Sequence, residues 1–101
     1  MSRKIKISQI AEEKLELLFE YLLEEWSYKV KSNFVKKLDK NIQIIKNQPE
    51  SFPKSDKQDG LRKCVITKQT TLFYEFNDTE IHILTFFDTR QDPKKLKKDL
   101  G

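Results

Sequence analysis

The residues of this sequence best suited to chemistry are a set of cations in its second half. They are Lys54, Lys57, Arg62, Lys63 and Arg90. Cutting RNA without a metal requires a base for the 2′-hydroxyl, cations for the charge that builds on phosphorus, and an acid for the leaving oxygen. Lys and Arg can supply the second role, and a lysine with a lowered pKa could supply the first. Nothing near them obviously supplies the third. The two arginines could equally tether the loop and the tail through Asp88, Asp92 or backbone carbonyls.

Other reaction types have weaker support in the sequence. The chain has one His and one Cys, which make no metal-binding set, and its two glycines make no phosphate loop. We therefore expect neither a metal nor a cofactor. Cys64 is expected to be a small buried hydrophobic residue. His82 lies between Ile81 and Ile83 in a predicted strand, which places it on the opposite face, exposed or facing a partner.

Length and composition predict one compact domain, residues 1–101, in which hydrophobic residues are 37% and charged residues 36%. No apolar run reaches the roughly 20 residues that cross a bilayer, and the single cysteine cannot form an internal disulfide. These features favour a cytoplasmic protein. The net charge of +4 is uneven, since residues 1–26 are acidic and residues 27–101 are basic. The basic half indicates either a polyanionic partner or a lysine-rich solvated surface.

Two helices are predicted in the first half, after a short strand of alternating residues at positions 3–7. Ser8 is the expected N-cap of the first helix, whose apolar stripe runs through Ala11 to Trp26. A second helix is predicted from Tyr28 to Lys46, capped by Ser27. The first helix carries glutamates and the second lysines, which favours an antiparallel hairpin, although a single bent helix remains open because no glycine marks the turn.

The second half predicts a sheet. After a loop broken by prolines and Gly60, with Phe52 as its expected anchor, come three runs rich in β-branched and aromatic residues. They are Leu61–Thr67, Thr71–Phe76 and Glu80–Phe87. Short polar breaks between them indicate an antiparallel meander. Asp92-Pro93 then resembles the start of a short basic helix. The fold class is therefore α+β, with a short N-terminal strand and an antiparallel helical hairpin packed on an antiparallel β-meander.

This layout resembles the RelE/ParE superfamily of toxins from bacterial type II toxin–antitoxin modules. The resemblance rests on Leu61-Arg62-Lys63 opening a strand, on Leu72-Phe73-Tyr74-Glu75-Phe76, and on Glu80-Ile81-His82-Ile83-Leu84. The ending Phe87-Asp88-Thr89-Arg90-Gln91-Asp92-Pro93 is similar to that of plasmid-stabilisation members. The similarity spans essentially the whole chain.

The resemblance implies a growth-inhibiting toxin neutralised by a cognate antitoxin encoded beside it. The complex of the two often represses its own operon, so operator DNA is an expected partner only for that complex. ParE-like members poison DNA gyrase, whereas RelE-like members enter the ribosomal A site and cut mRNA. A family member that has lost toxicity and acts as a binding partner is a further alternative.

For the catalytic residues, the resemblance implies Arg62, Arg90, Lys54 and Lys57, and only if the chain is RelE-like. Ribonuclease members usually carry a Tyr or His after the arginine that matches Arg90. This chain reads Gln91-Asp92-Pro93-Lys94 and has no aromatic residue or His beyond that point. Loss of a proton donor lowers a rate by roughly 10²–10⁴-fold. The sequence therefore slightly favours gyrase-directed action over mRNA cleavage.

Overall fold

The computed structural model describes residues 3–88 and Leu100, and within them the chain has the predicted α+β architecture. The elements are β1 (Lys4–Ile7), α1 (Gln9–Glu25), α2 (Tyr28–Asn47), a 3-10 turn (Pro49–Ser51), β2 (Arg62–Val65), β3 (Thr70–Phe76) and β4 (Glu80–Asp88). Residues 89–99, including Arg90 and Asp92-Pro93, lie outside the described part of the chain.

The helical region forms two helices rather than one bent helix. Both predicted caps are present: the Ser8 hydroxyl accepts from the Ala11 N–H at 3.0 Å, and the Ser27 hydroxyl accepts from the Val30 N–H at 3.2 Å. These hydroxyls bond N–H groups that have no partner in the first turn of each helix. Ser27 therefore starts a new helix without the help of a glycine.

The four strands form one mixed sheet in the order β1-β4-β3-β2. β2, β3 and β4 are the predicted antiparallel meander. β1 pairs with β4 in parallel, Lys4 opposite Glu80 and Ile7 opposite Ile83. The sheet is thus mixed rather than purely antiparallel. An irregularity between Phe73 and Tyr74 shifts the register of β3 against β4.

The main core lies between the helices and the inner face of the sheet. Its buried members include Ala11 from α1, with Phe34, Leu38 and Ile45 from α2. Trp26 and Val30, which share the predicted stripes, are 64% and 37% exposed. Helical spacing identifies a common face of a helix, but it does not show where that face extends beyond its partner.

A second, smaller cluster contains Leu61, Phe73 and Phe87, with Leu84 and Leu100 packed against it. Its members alternate along the strands with core residues such as Leu72 and Phe86, which places the cluster on the outer face of the sheet. Both faces of this end of the sheet therefore bury apolar side chains.

Candidate functional site

Arg62 begins β2 and holds the preceding loop in place. One guanidinium nitrogen donates to the backbone carbonyls of Glu50 and Phe52, at 3.2 and 2.8 Å. The Arg62 Cζ lies 5.6 Å from the centre of the Phe76 ring, and the Arg3 Cζ lies 5.4 Å from the same centre. Such contacts between a cation and a ring are favourable. Of the two roles left open for Arg62, the tether through backbone carbonyls is the one that the geometry shows.

Tyr74 reinforces this loop from the neighbouring strand. Its side chain is fully buried, and its hydroxyl donates to the Pro49 carbonyl at 2.6 Å. Burial raises the pKa of Tyr74, so the hydroxyl stays protonated and keeps donating. The Phe52 ring packs edge-on against Tyr74, as expected if Phe52 fixes the loop to the core. We call the contacts of Arg62 and Tyr74 with the loop the loop anchor.

The loop lysines lie near Arg62 through the backbone. Lys54 forms an isolated antiparallel bridge with Arg62, and the Ser55 N–H donates to the Leu61 carbonyl at 2.8 Å. The Lys57 N–H donates to the Ser55 hydroxyl at 3.2 Å. The fold thus gathers Lys54, Lys57 and Arg62 at one edge of the sheet, while Arg90 lies outside the described residues.

The outer face of the sheet holds a separate charged group. Glu80 accepts from Lys6 at 3.3 Å, and its other oxygen lies 3.0 Å from His82 Nε2. The hydrogen bond from His82 and then that from Lys6 lower the pKa of Glu80. Glu75 is the cross-strand neighbour of His82 on β3. His82 is therefore partly exposed on the sheet, as expected, and is oriented by a carboxylate.

Cys64 is fully buried in the main core. Burial raises the pKa of its thiol to about 11, so little reactive thiolate is present near neutral pH. Its interpretation as a small core residue is confirmed. Within residues 3–88, no cluster of three or more His, Cys, Asp or Glu side chains is arranged to hold a metal. None of the helices described is long and apolar enough to cross a membrane.

Among the described residues, exposed apolar side chains line a groove along the helical hairpin. It consists of two adjoining depressions of about 340 and 450 Å³ that share Leu18, Tyr21 and Thr70. The helices contribute its apolar wall, which includes Leu17, Leu18, Tyr21, Leu22, Trp26 and Val30. Phe86 and Phe87 line the end beside β4, where Lys14 and Asp88 carry opposite charges, and Lys37 adds positive charge at the other end. We call this surface the hairpin groove.

The hairpin groove is a site that analysis of the sequence missed. Leu17 is 64% exposed and Tyr21 is 38% exposed. Both lie off the apolar stripe of α1, four residues apart, so they form a second apolar line on that helix. That spacing was visible in the sequence, and a contiguous exposed apolar patch of this kind marks an interaction site.

The fold is that of RelE/ParE-superfamily toxins. A structure titled "Chromosomal ParDE TA system from P. aeruginosa" superposes with a TM-score of 0.72 at 11% identity, covering 86% of this chain and 96% of that one. The E. coli DinJ-YafQ toxin-antitoxin complex gives a TM-score of 0.64 at 13% identity, covering 89% and 96%. A YoeB dimer from Staphylococcus aureus gives 0.61 at 19%, covering 86% and 97%.

The amino-acid sequence identifies one family within this superfamily. The profile of the family described as "ParE toxin of type II toxin-antitoxin system, parDE" matches residues 5–93. The chain therefore belongs to the ParE toxin family. No curated protein sequence matches the chain significantly.

Proposed function

We propose that this protein inhibits growth by acting on DNA gyrase in the cytoplasm, and that a cognate antitoxin neutralises it. The observation that carries the choice of target is the engagement of Arg62. A catalytic arginine uses its guanidinium donors on a phosphate, whereas one guanidinium nitrogen of Arg62 is already directed at two loop carbonyls. A binding surface needs no such group, so the geometry supports a toxin that acts by binding.

The hairpin groove is a suitable binding surface for an antitoxin. An amphipathic segment can lay its apolar face in a hydrophobic groove, and an acidic side chain on that segment would meet Lys37. Such a segment is commonly disordered when free and folds on binding. We place the inhibitory segment of the antitoxin in this groove.

Two assays with the purified protein test the target. We expect inhibition of DNA supercoiling by gyrase, together with intact mRNA in a translating cell-free extract whose message ends are mapped by primer extension. New cuts within codons and unaffected supercoiling would overturn the gyrase assignment. Expression without the antitoxin should arrest growth. Unchanged growth would instead favour a family member that has lost toxicity and acts as a binding partner.

RelE-like cleavage of mRNA is a second candidate, because His82 and Glu80 form a hydrogen-bonded pair on the outer face of the sheet. A histidine oriented by a carboxylate is a suitable general acid or base. Lys54, Lys57 and Arg62, the cations that the family resemblance implies, lie at the β2 edge of the sheet, two strands away from this pair. If cleavage is observed, His82→Gln should abolish the cuts. The control Tyr28→Phe, at an exposed position on α2, should leave them unchanged.

A further inference from the structure

We propose that the solvent face of α2 contacts the phosphate backbone of duplex DNA. The face carries five exposed residues at helical spacing. They are Lys29, Asn33, Lys36, Lys40 and Gln43. Steps of four, three, four and three residues place them on one line along the helix. We call this line the lysine stripe. It faces away from Phe34, Leu38 and Ile45, the residues that α2 buries.

The lysine stripe contains three lysines and no carboxylate among its five members. Like charges four residues apart destabilise a helix, and Lys36 and Lys40 are such a pair. Asp39, the one carboxylate in α2, lies off the line and is three residues from Lys36, so it offsets part of this charge. The stripe therefore keeps a net positive charge that folding does not require.

The chemistry of the stripe fits a polyanion. Lysines neutralise phosphates, and the amides of Asn33 and Gln43 can donate to phosphate oxygens or base edges between them. The stripe has no aromatic or aliphatic anchor of the kind that dominates protein–protein contacts. Its occupant is therefore a nucleic acid rather than an acidic protein, which would use the hairpin groove.

The dimensions of α2 select duplex DNA. Lys29 and Lys40 lie 11 residues apart, about 16 Å along the helix, which matches the rise of about five base pairs. The major groove of B-form DNA is about 12 Å wide and admits a helix. The major groove of A-form RNA is deep and too narrow to admit a helix in this way. A helix of 20 residues whose lysines reach the phosphates that flank a groove therefore suits DNA better.

Binding of the full chain to a fluorescent DNA duplex of about 20 base pairs, followed by anisotropy from about 50 to about 200 mM salt, tests this proposal. The stripe variant is Lys36→Ala/Lys40→Ala. The control is Lys4→Ala/Lys68→Ala, which removes the same charge from exposed positions on β1 and between β2 and β3. We expect the stripe variant to reduce the slope of log affinity against log salt by about 2 and to weaken binding about tenfold at the lowest salt. The control should keep the wild-type slope.

Three results would overturn the proposal. They are no binding by the wild-type chain at the lowest salt, an equal loss in the control variant, and tighter binding to an RNA duplex of the same length. Circular dichroism of each variant shows whether α2 is retained. The assay contains no gyrase and no antitoxin, so its outcome is independent of the proposed target and of the groove.

Discussion

The loop anchor and the hairpin groove lie in different parts of the same small protein. The first consists of polar groups bonded within the chain, whereas the second consists of apolar side chains that remain exposed. In the loop anchor, a charged arginine and a tyrosine hydroxyl find partners within the chain. In the hairpin groove, large apolar side chains such as Leu17 and Trp26 stay 64% exposed. In the loop anchor a cation thus contributes to folding, while the apolar side chains of the groove remain exposed.

Because of this difference, the two regions should respond differently to mutation. Hydrogen bonds between charged groups and backbone carbonyls stabilise a fold. Exposed apolar side chains on a helix contribute little to folding, and they gain free energy when a partner covers them. Mutations in the loop anchor should therefore affect stability, whereas mutations in the groove should affect binding.

The largest expected effect is on antitoxin binding by the groove. Leu17→Glu/Tyr21→Glu places two carboxylates where an acidic, apolar segment would dock, and we expect affinity to fall about 100-fold or more, as for interface hot spots. Isothermal titration calorimetry with the antitoxin measures the change. Leu23→Glu is the matched control, since Leu23 is 43% exposed on the same helix. An equal loss in the control would place the antitoxin elsewhere.

The next effect concerns the stability of the loop anchor. Arg62→Ala removes a charged donor from two carbonyls, and we expect a loss of about 1.5–3 kcal/mol in the free energy of unfolding. Urea denaturation measures it, with Lys63→Ala as the neighbouring control, expected within about 0.5 kcal/mol of the wild type. If Arg62→Ala is as stable as that control, the anchor has no energetic role.

A smaller loss is expected from Tyr74→Phe. This variant keeps the buried ring and leaves the Pro49 carbonyl without its neutral donor, which should lower stability by about 1–2 kcal/mol. Tyr28→Phe serves as the control, because Tyr28 is 73% exposed. Thermal and urea unfolding of both variants check the result, and equal stabilities would contradict a role for the Tyr74 hydroxyl.

The smallest effect is expected at Glu80, outside both regions. Because the folded chain lowers the pKa of Glu80 below 4.5, its contribution is present above pH 4.5 and is lost as the pH falls through the lowered value. Melting temperatures of the wild type and Glu80→Gln should therefore differ near neutral pH and converge in acid. A constant difference across this range would show that the Glu80 carboxylate does not stabilise the fold through His82 and Lys6.

Much of the fold could be predicted from the sequence, because its signals are local. Ser8 and Ser27 cap helices through bonds to residues three positions away. The alternation of apolar and polar residues at the start of β4 likewise marks its buried face. The parallel pairing of β1 with β4 could not be predicted, since nothing local in residues 4–7 specifies a partner.

The candidate functional site was less predictable, because its features depend on contacts between distant parts of the chain. The type of Arg62 suits both catalysis and tethering, and only the approach of the Glu50 and Phe52 carbonyls distinguishes the two. The exposure of Trp26 depends on where the sheet ends beneath the hairpin. These features depend on tertiary packing, which the types and spacing of individual residues do not determine.

The parallel pairing of β1 with β4 also delays completion of the sheet while the chain is being synthesised. Lys4 leaves the ribosome 76 residues before Glu80, its partner in the sheet. At about 5–20 residues per second, the first strand waits about 4–15 s for the last. A newly made chain therefore lacks its complete sheet for several seconds. The hairpin groove is incomplete over the same interval, because Phe86 and Phe87 of β4 line one end of it.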